Sequence, residues 1–208
     1  MKQINRCLAH VVCLQDHHLT VHMNEYEWAK HIQKETYMEK WYVIQVRSKA
    51  EEKIRRSCEM LISKEILKEC FIPKNKRMKK IKGNWIEIEE ILFTGYVFLV
   101  SDDPDKLYLE LKKVPDLTKM LGHVDGEIFP LYDDEVKFLK SLSDCEHVVE
   151  ISTGLIENDE VQIVSGPLKG REGIIRKIDR HKRVALIEVE LFGKTTQAKV
   201  GLEIVSKT

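Results

Sequence analysis

The stretch Asn158–Ile175, NDEVQIVSGPLKGREGII, constrains this chain more than any other. Val161 and Ile163 alternate with Gln162 and Val164, the period that sends successive side chains to opposite faces of a strand. Gly166-Pro167 then turns the chain, because the proline ring fixes φ at about −65° and offers no N–H to a ladder. Gly166, Gly170 and Gly173 admit backbone conformations that a Cβ resists. Glu160–Val164, Gly170–Asp179, Val184–Leu191, Lys194–Val200 and Leu202–Val205 all read as short strands between Gly and charged turns. Five strands in so short a stretch predict a small SH3-like β-barrel.

A chain of 208 residues has room for a second domain before the barrel, and the patterning supplies one. Trp41–Arg47 reads as a strand, and Ala50–Lys64 changes to helical period with Ile54, Cys58, Leu61 and Ile62 on one face. Leu67–Pro73 is a second strand. Lys74–Glu90 reads as a hairpin turning at Lys82-Gly83-Asn84, its basic first arm facing Glu87, Glu89 and Glu90. Tyr96–Val100 is a buried strand, and Asp102-Asp103-Pro104 starts a helix over Asp105–Lys113. A short strand within Leu117–His123 and a helix over Asp133–Leu142 complete a small α/β sandwich with a mostly antiparallel sheet, so the chain as a whole is α+β. Ser143–Thr153 has no clear period and is the candidate linker. The predicted boundaries are an extension over 1–39, a domain over 40–143, a linker over 144–155 and the barrel over 156–208. The extension, with a short helix around Glu25–Thr36, is expected to be mobile or to reflect a mis-assigned start.

Charge narrows the functional classes. The 34 basic and 34 acidic residues cancel, so the whole chain does not advertise nucleic acid, but the distribution is uneven. Lys74, Lys76, Arg77, Lys79, Lys80 and Lys82 form one cluster, and Arg176, Lys177, Arg180, Lys182 and Arg183 a second beyond the glycine turn. Each is either a solvated hairpin or a phosphate-binding surface. No apolar run approaches the twenty or so residues that span a bilayer. The five cysteines are scattered without a CxxC pair, which argues against a disulfide framework and a zinc site and fits reduced thiols in the cytoplasm. His10, His17, His18, His22 and His31 lack ligand spacing, so no metal and no cofactor are expected. Nucleophile elbows, P-loops, HExxH and dinucleotide glycine triplets are missing, and the pairs Asp102-Asp103 and Asp133-Asp134 are explained as helix starts. Enzymatic activity is not expected.

The Asn158–Ile175 segment resembles the KOW motif of NusG and Spt5 transcription factors. WYVIQVRSKAEEKIRRSCEML (Trp41–Leu61) and LFTGYVFLVSDD (Leu92–Asp103), in that order upstream, resemble the NusG N-terminal module, the NGN domain. The resemblance runs from about Glu39 to the end, and is similar in particular to the LoaP group of specialised NusG paralogues, which act as antiterminators. It implies a monomeric elongation or antitermination factor whose NGN domain grips the clamp helices of RNA polymerase through Phe93, Tyr96, Phe98, Val114 and Leu121. Thr94 stands where the family commonly has proline, which puts the rigidity of the Phe93–Tyr96 turn in question. Leu191 and Phe192 match the loop that general members use to meet Rho or ribosomal protein S10. Leu168, in place of a common phenylalanine, and the neighbouring Lys169, Arg171, Arg176, Lys177, Arg180, Lys182, Arg183 and Lys194 suit a nascent RNA hairpin better. A general coupling factor and a ribosome-associated RNA-binding protein are the alternatives.

Overall fold

The computed structural model describes residues 39–116, 119–157 and 160–207. The helix expected around Glu25–Thr36 and the histidines of the N-terminal stretch lie outside them. Strands β1 (Trp41–Gln45), β2 (Glu69–Phe71), β5 (Tyr96–Val100) and β6 (Lys119–Met120) form one antiparallel sheet in the order β2-β5-β1-β6. Alternation along β1 and β5 divides their side chains between two apolar clusters. Tyr42, Ile44, Val97 and Leu99 pack with Ile54 and Cys58 of helix α1 (Glu51–Leu61) and Leu107 and Leu111 of helix α2 (Pro104–Leu111). Trp41, Val43, Phe98 and Val100 pack on the other side with Leu131 and with Val136, Leu139 and Leu142 of helix α3 (Asp133–Leu142). Asp103 caps α2 by accepting from Lys106 N at 3.0 Å, with Pro104 opening the first turn, where the missing N–H costs nothing.

The expected charged hairpin forms from β3 (Lys74–Ile81) and β4 (Asn84–Ile91) around Lys82 and Gly83, both at positive φ. That is the two-residue turn whose twist suits a hairpin. Arg77 donates to both oxygens of the Glu90 carboxylate, from Nε at 2.6 Å and Nη2 at 2.5 Å, and Lys74 reaches Glu89 at 3.4 Å. A second small hairpin, β7 (His123–Val124) and β8 (Glu127–Ile128), occupies a region whose sequence reads as part of a single strand and loop.

Ser143–Thr153 is not the irregular connection that its sequence suggests. Val148 and Val149 form β9, parallel to β3, and both are buried. Strand β10 (Ser152–Glu157) then begins the last domain, whose sheet runs β11-β10-β14-β13-β12 with β11 at Glu160–Ser165, β12 at Ile175–Asp179, β13 at Val184–Leu191 and β14 at Lys194–Lys207. The count of five strands matches the expectation by a different route. Strand β10 comes from the supposed linker, and the two last expected strands are one continuous β14, which pairs with β13 up to Gly201 and with β10 beyond it. Gly166 sits at φ 89° against Ser152, whose Cα lies 2.6 Å from where a Cβ would be. Only glycine fits there.

Candidate functional site

The turn Phe93-Thr94-Gly95-Tyr96 leads directly into β5, and its hydrogen bonds fix its aromatic residues. Tyr96 N donates to Phe93 O at 3.2 Å and Val46 N to Gly95 O at 2.8 Å. Gly95 N donates to Glu51 Oε1 at 2.7 Å, and this carboxylate is buried in the first turn of α1. A buried carboxylate is tolerable where a backbone N–H satisfies it and the helix dipole favours its charge. Glu51 thus ties down the turn around Thr94.

Phe93 and Phe98 are fully buried, while Tyr96 and Leu121 are half-buried against the same cluster. Val114 is buried on the opposite side of the sheet, with α1 and α2. The structure therefore brings together four of the five apolar residues singled out in the sequence and separates the fifth. Their cluster does not stop at the sheet. It continues through Leu131, Val136 and Leu139 to Ile163, Leu168, Val189 and Leu191 of the barrel, so the two domains share one apolar layer.

At one end of β13 the junction between the domains is sealed. Leu191 is buried and Phe192 packs against the shared layer, its Cε1 2.8 Å from where a Cβ on Gly122 would stand. Gly193 N donates to Glu135 Oε1 at 2.9 Å, while Glu135 Oε2 accepts from Tyr132 N at 3.1 Å. One buried carboxylate therefore caps α3 and holds the barrel turn. At the far end of α3, in its last turn, Arg171 donates to Ser141 Oγ at 3.0 Å and to Pro167 O at 2.5 Å.

The other end of β13 is open. Strand β14 lies on β3 at Gly201, where any Cβ would collide with Lys76 O, and Lys76 Nζ pairs with Glu150 at 2.6 Å. Next to this crossing the turn between β12 and β13 reaches the hairpin. The Arg183 guanidinium lies over the Trp85 ring, 4.1 Å from its centroid, and also pairs with Glu203. Trp85 stands opposite Lys80 in the β3–β4 register. Lys80, Trp85, Arg180, His181, Arg183 and Ile204 line a cleft of about 600 Å³ between hairpin and barrel.

The basic residues expected to make one continuous face are divided by this geometry. Arg180, Lys182 and Arg183 share the open-end turn, with Lys177 just upstream on β12. Arg176 is held by Glu188 at 2.5 Å and by Gly173 O at 2.9 Å, and its guanidinium keeps the Glu188 carboxyl below the usual range. Lys169 and Arg171 belong to the loop after β11. Lys194 begins β14 at the sealed end, the whole eight-residue length of β13 away from Arg183. At a rise of about 3.3 Å per residue that is roughly 26 Å. Sequence reasoning missed Trp85 and Glu135. An aromatic residue two positions after the Lys82-Gly83 turn was the available signal for Trp85; nothing local marked Glu135 as the residue that spans the two domains.

Comparison with known proteins meets this geometry at both domains. The family described as "Transcription termination factor nusG" matches residues 39–140, and the KOW motif matches residues 157–190. The chain belongs to the NusG/Spt5 superfamily. By the residues matched, the sheet with α1, α2 and α3 is the NGN domain and the five-stranded unit is the KOW domain. The "Transcription termination/antitermination protein NusG" of Rickettsia prowazekii is 25% identical over 178 residues, covering 82% of this chain and 91% of that protein. Its counterpart from Campylobacter jejuni is 23% identical over 172 residues, covering 81% and 97%. A solved structure described as the domain interaction in Thermotoga maritima NusG aligns at a TM-score of 0.46 and 22% identity, over 79% of this chain and 94% of that one. No helix among the described residues is long and apolar enough to cross a membrane.

Proposed function

We propose that this chain is a non-catalytic transcription elongation and antitermination factor that binds RNA polymerase through its NGN domain and is recruited by RNA through its KOW domain. The observation that carries this reading is the pairing, in one chain of the NusG family, of two unlike surfaces. One is the apolar sheet side built on Phe93, Tyr96, Phe98 and Leu121; the other is the basic turn Arg180–Arg183, where Arg180 has no carboxylate partner among the described residues. Tyr96 and Leu121, being half-buried, are the residues of the first surface able to meet the polymerase clamp, with Phe93 and Phe98 holding them from beneath. Because the KOW domain covers the same side of the sheet, polymerase binding at this surface is coupled to movement of that domain. Val114 acts on the other side by supporting α2.

The antiterminating effect would arise from differential binding, the factor favouring the active polymerase over the paused one. Recruitment by RNA, as in a specialised LoaP-type paralogue, is favoured over recruitment by Rho or S10 because the turn Arg180–Arg183 is basic and Arg180 has no carboxylate partner among the described residues, whereas Leu191 and Phe192 are packed against the NGN domain as long as the two domains are docked. The test is binding of the full chain to purified core polymerase, paired with readthrough of a terminator in vitro. Tyr96→Ala and Leu121→Ala are expected to weaken binding by about 2 kcal/mol each and to reduce readthrough while the proteins stay folded. A wild-type chain that neither binds core polymerase nor changes readthrough would contradict the proposal.

A further inference from the structure

We propose that the cleft between the NGN hairpin and the KOW turn Arg180–Arg183 binds an unpaired RNA nucleotide, with Trp85 as the stacking platform for its base. The inference rests on the RNA reading of the KOW domain and adds a second domain to that site. Trp85 is half-buried and belongs to neither apolar cluster, so the packing of the sheets does not account for it. It lines an open cleft of about 600 Å³ together with Lys80, Arg180, Arg183 and Ile204.

The lining supplies each element that a nucleotide needs. Trp85 and the Arg183 guanidinium, whose Cζ lies 4.1 Å from the ring centroid, offer planar π surfaces at the cleft, and Ile204 adds an apolar wall for a base. Lys80 and Arg180 stand at the same cleft without carboxylate partners among the described residues, available to phosphate oxygens. Arg183 differs, since Glu203 neutralises part of its charge. Its contribution is therefore chiefly the stacking plane, with phosphate attraction left to its neighbours. The faces of paired bases in an A-form stem are covered by their neighbours in the stack, so such a cleft selects a loop nucleotide over a stem. The first basic cluster takes part through Lys80, while Lys74, Lys76 and Arg77 are occupied by Glu89, Glu150 and Glu90.

The experiment measures affinity of the full chain for an RNA stem–loop with an adenosine loop, the same stem with an abasic loop, and the DNA copy of the stem–loop. Stacking of this kind changes affinity about 5- to 150-fold per base. The abasic loop should bind wild-type protein about tenfold or more weakly, and Trp85→Ala should weaken the intact loop by a similar factor. Trp85→Ala should then lose nothing further on the abasic loop, since both changes remove the same interaction. Trp85→Phe should retain most of the affinity. If the abasic loop binds wild type as tightly as the intact one, the stacking site is wrong whatever Trp85→Ala does to folding. In that case loss of affinity in Arg180→Ala would leave the RNA reading of the KOW domain standing on stem phosphates alone. Equal affinity for the DNA copy would overturn the assignment to RNA, and no binding of either nucleic acid would overturn both readings.

Discussion

The two ends of strand β13 meet the NGN domain by opposite chemistry. At the Phe192-Gly193 end, apolar packing and the Glu135 carboxylate close the junction; at the Arg180–Arg183 end, a guanidinium on a tryptophan borders a cleft. Both ends join the same two domains, yet at the second Lys80 and Arg180 stand without carboxylate partners among the described residues, beside an aromatic ring at the cleft. Burying a carboxylate requires that its hydrogen bonds be satisfied, which Tyr132 N and Gly193 N do at the sealed end. No comparable demand operates where the side chains remain half exposed. The sealed end is thus suited to hold the domains, and the open end to receive a ligand.

The largest effect should come from the layer beneath both ends. Phe98→Ala removes a fully buried ring at the centre of the shared cluster and should destabilise the protein by about 3 to 5 kcal/mol in urea unfolding. A loss below about 1 kcal/mol would contradict the burial of Phe98 among Trp41, Phe71 and Phe93. Gly201→Val is next. Its side chain has no room against Lys76 O, and the resulting overpacking of β14 on β3 should cost about 1 to 3 kcal/mol while loosening the open end first. An unchanged environment for the Trp85 indole in that variant, followed by NMR, would argue against the crossing at Gly201.

Glu135→Ala acts on the sealed end alone. Leaving Gly193 N and Tyr132 N without their acceptor should cost about 1 to 3 kcal/mol and speed hydrogen exchange at both amides. Exchange at Gly193 as slow as in wild type would remove Glu135 from the junction. The smallest effect is electrostatic. Arg77 holds the Glu90 carboxyl below its ordinary value of about 4.5, so the stabilisation from this pair is complete above that pH and is lost as pH falls through the lowered folded value. Because both side chains touch solvent, the contribution is at most about 1 kcal/mol. Glu90→Gln should flatten stability against pH in the acid range only; a change near neutrality instead would contradict the assignment.

Local signals make much of this architecture legible. Apolar spacing at Val136, Leu139 and Leu142 marks the span of α3, and Lys82-Gly83 marks the turn of the hairpin. What escapes depends on partners distant in the chain. Val148 and Val149 look like linker because two residues carry no period, and they become a strand only because β3 offers them a parallel edge. Lys194 looks close to Arg183 in sequence, yet β13 carries it away to the other end of the barrel. Resemblance groups Phe93, Tyr96, Phe98 and Leu121, which do lie in or against one cluster; periodicity cannot show that α3 and the barrel cover them.

The distinction between the two ends is tested most directly by the salt dependence of RNA stem–loop binding to the full chain, compared between Arg180→Ala and Lys194→Ala. A side chain that neutralises one phosphate should, when removed, flatten the log–log slope by somewhat less than one unit, about 0.7 to 0.9. The open end predicts that flattening, together with weaker binding, for Arg180→Ala, and a slope and affinity near wild type for Lys194→Ala. Equal flattening by both substitutions, or by Lys194→Ala alone, would contradict the account.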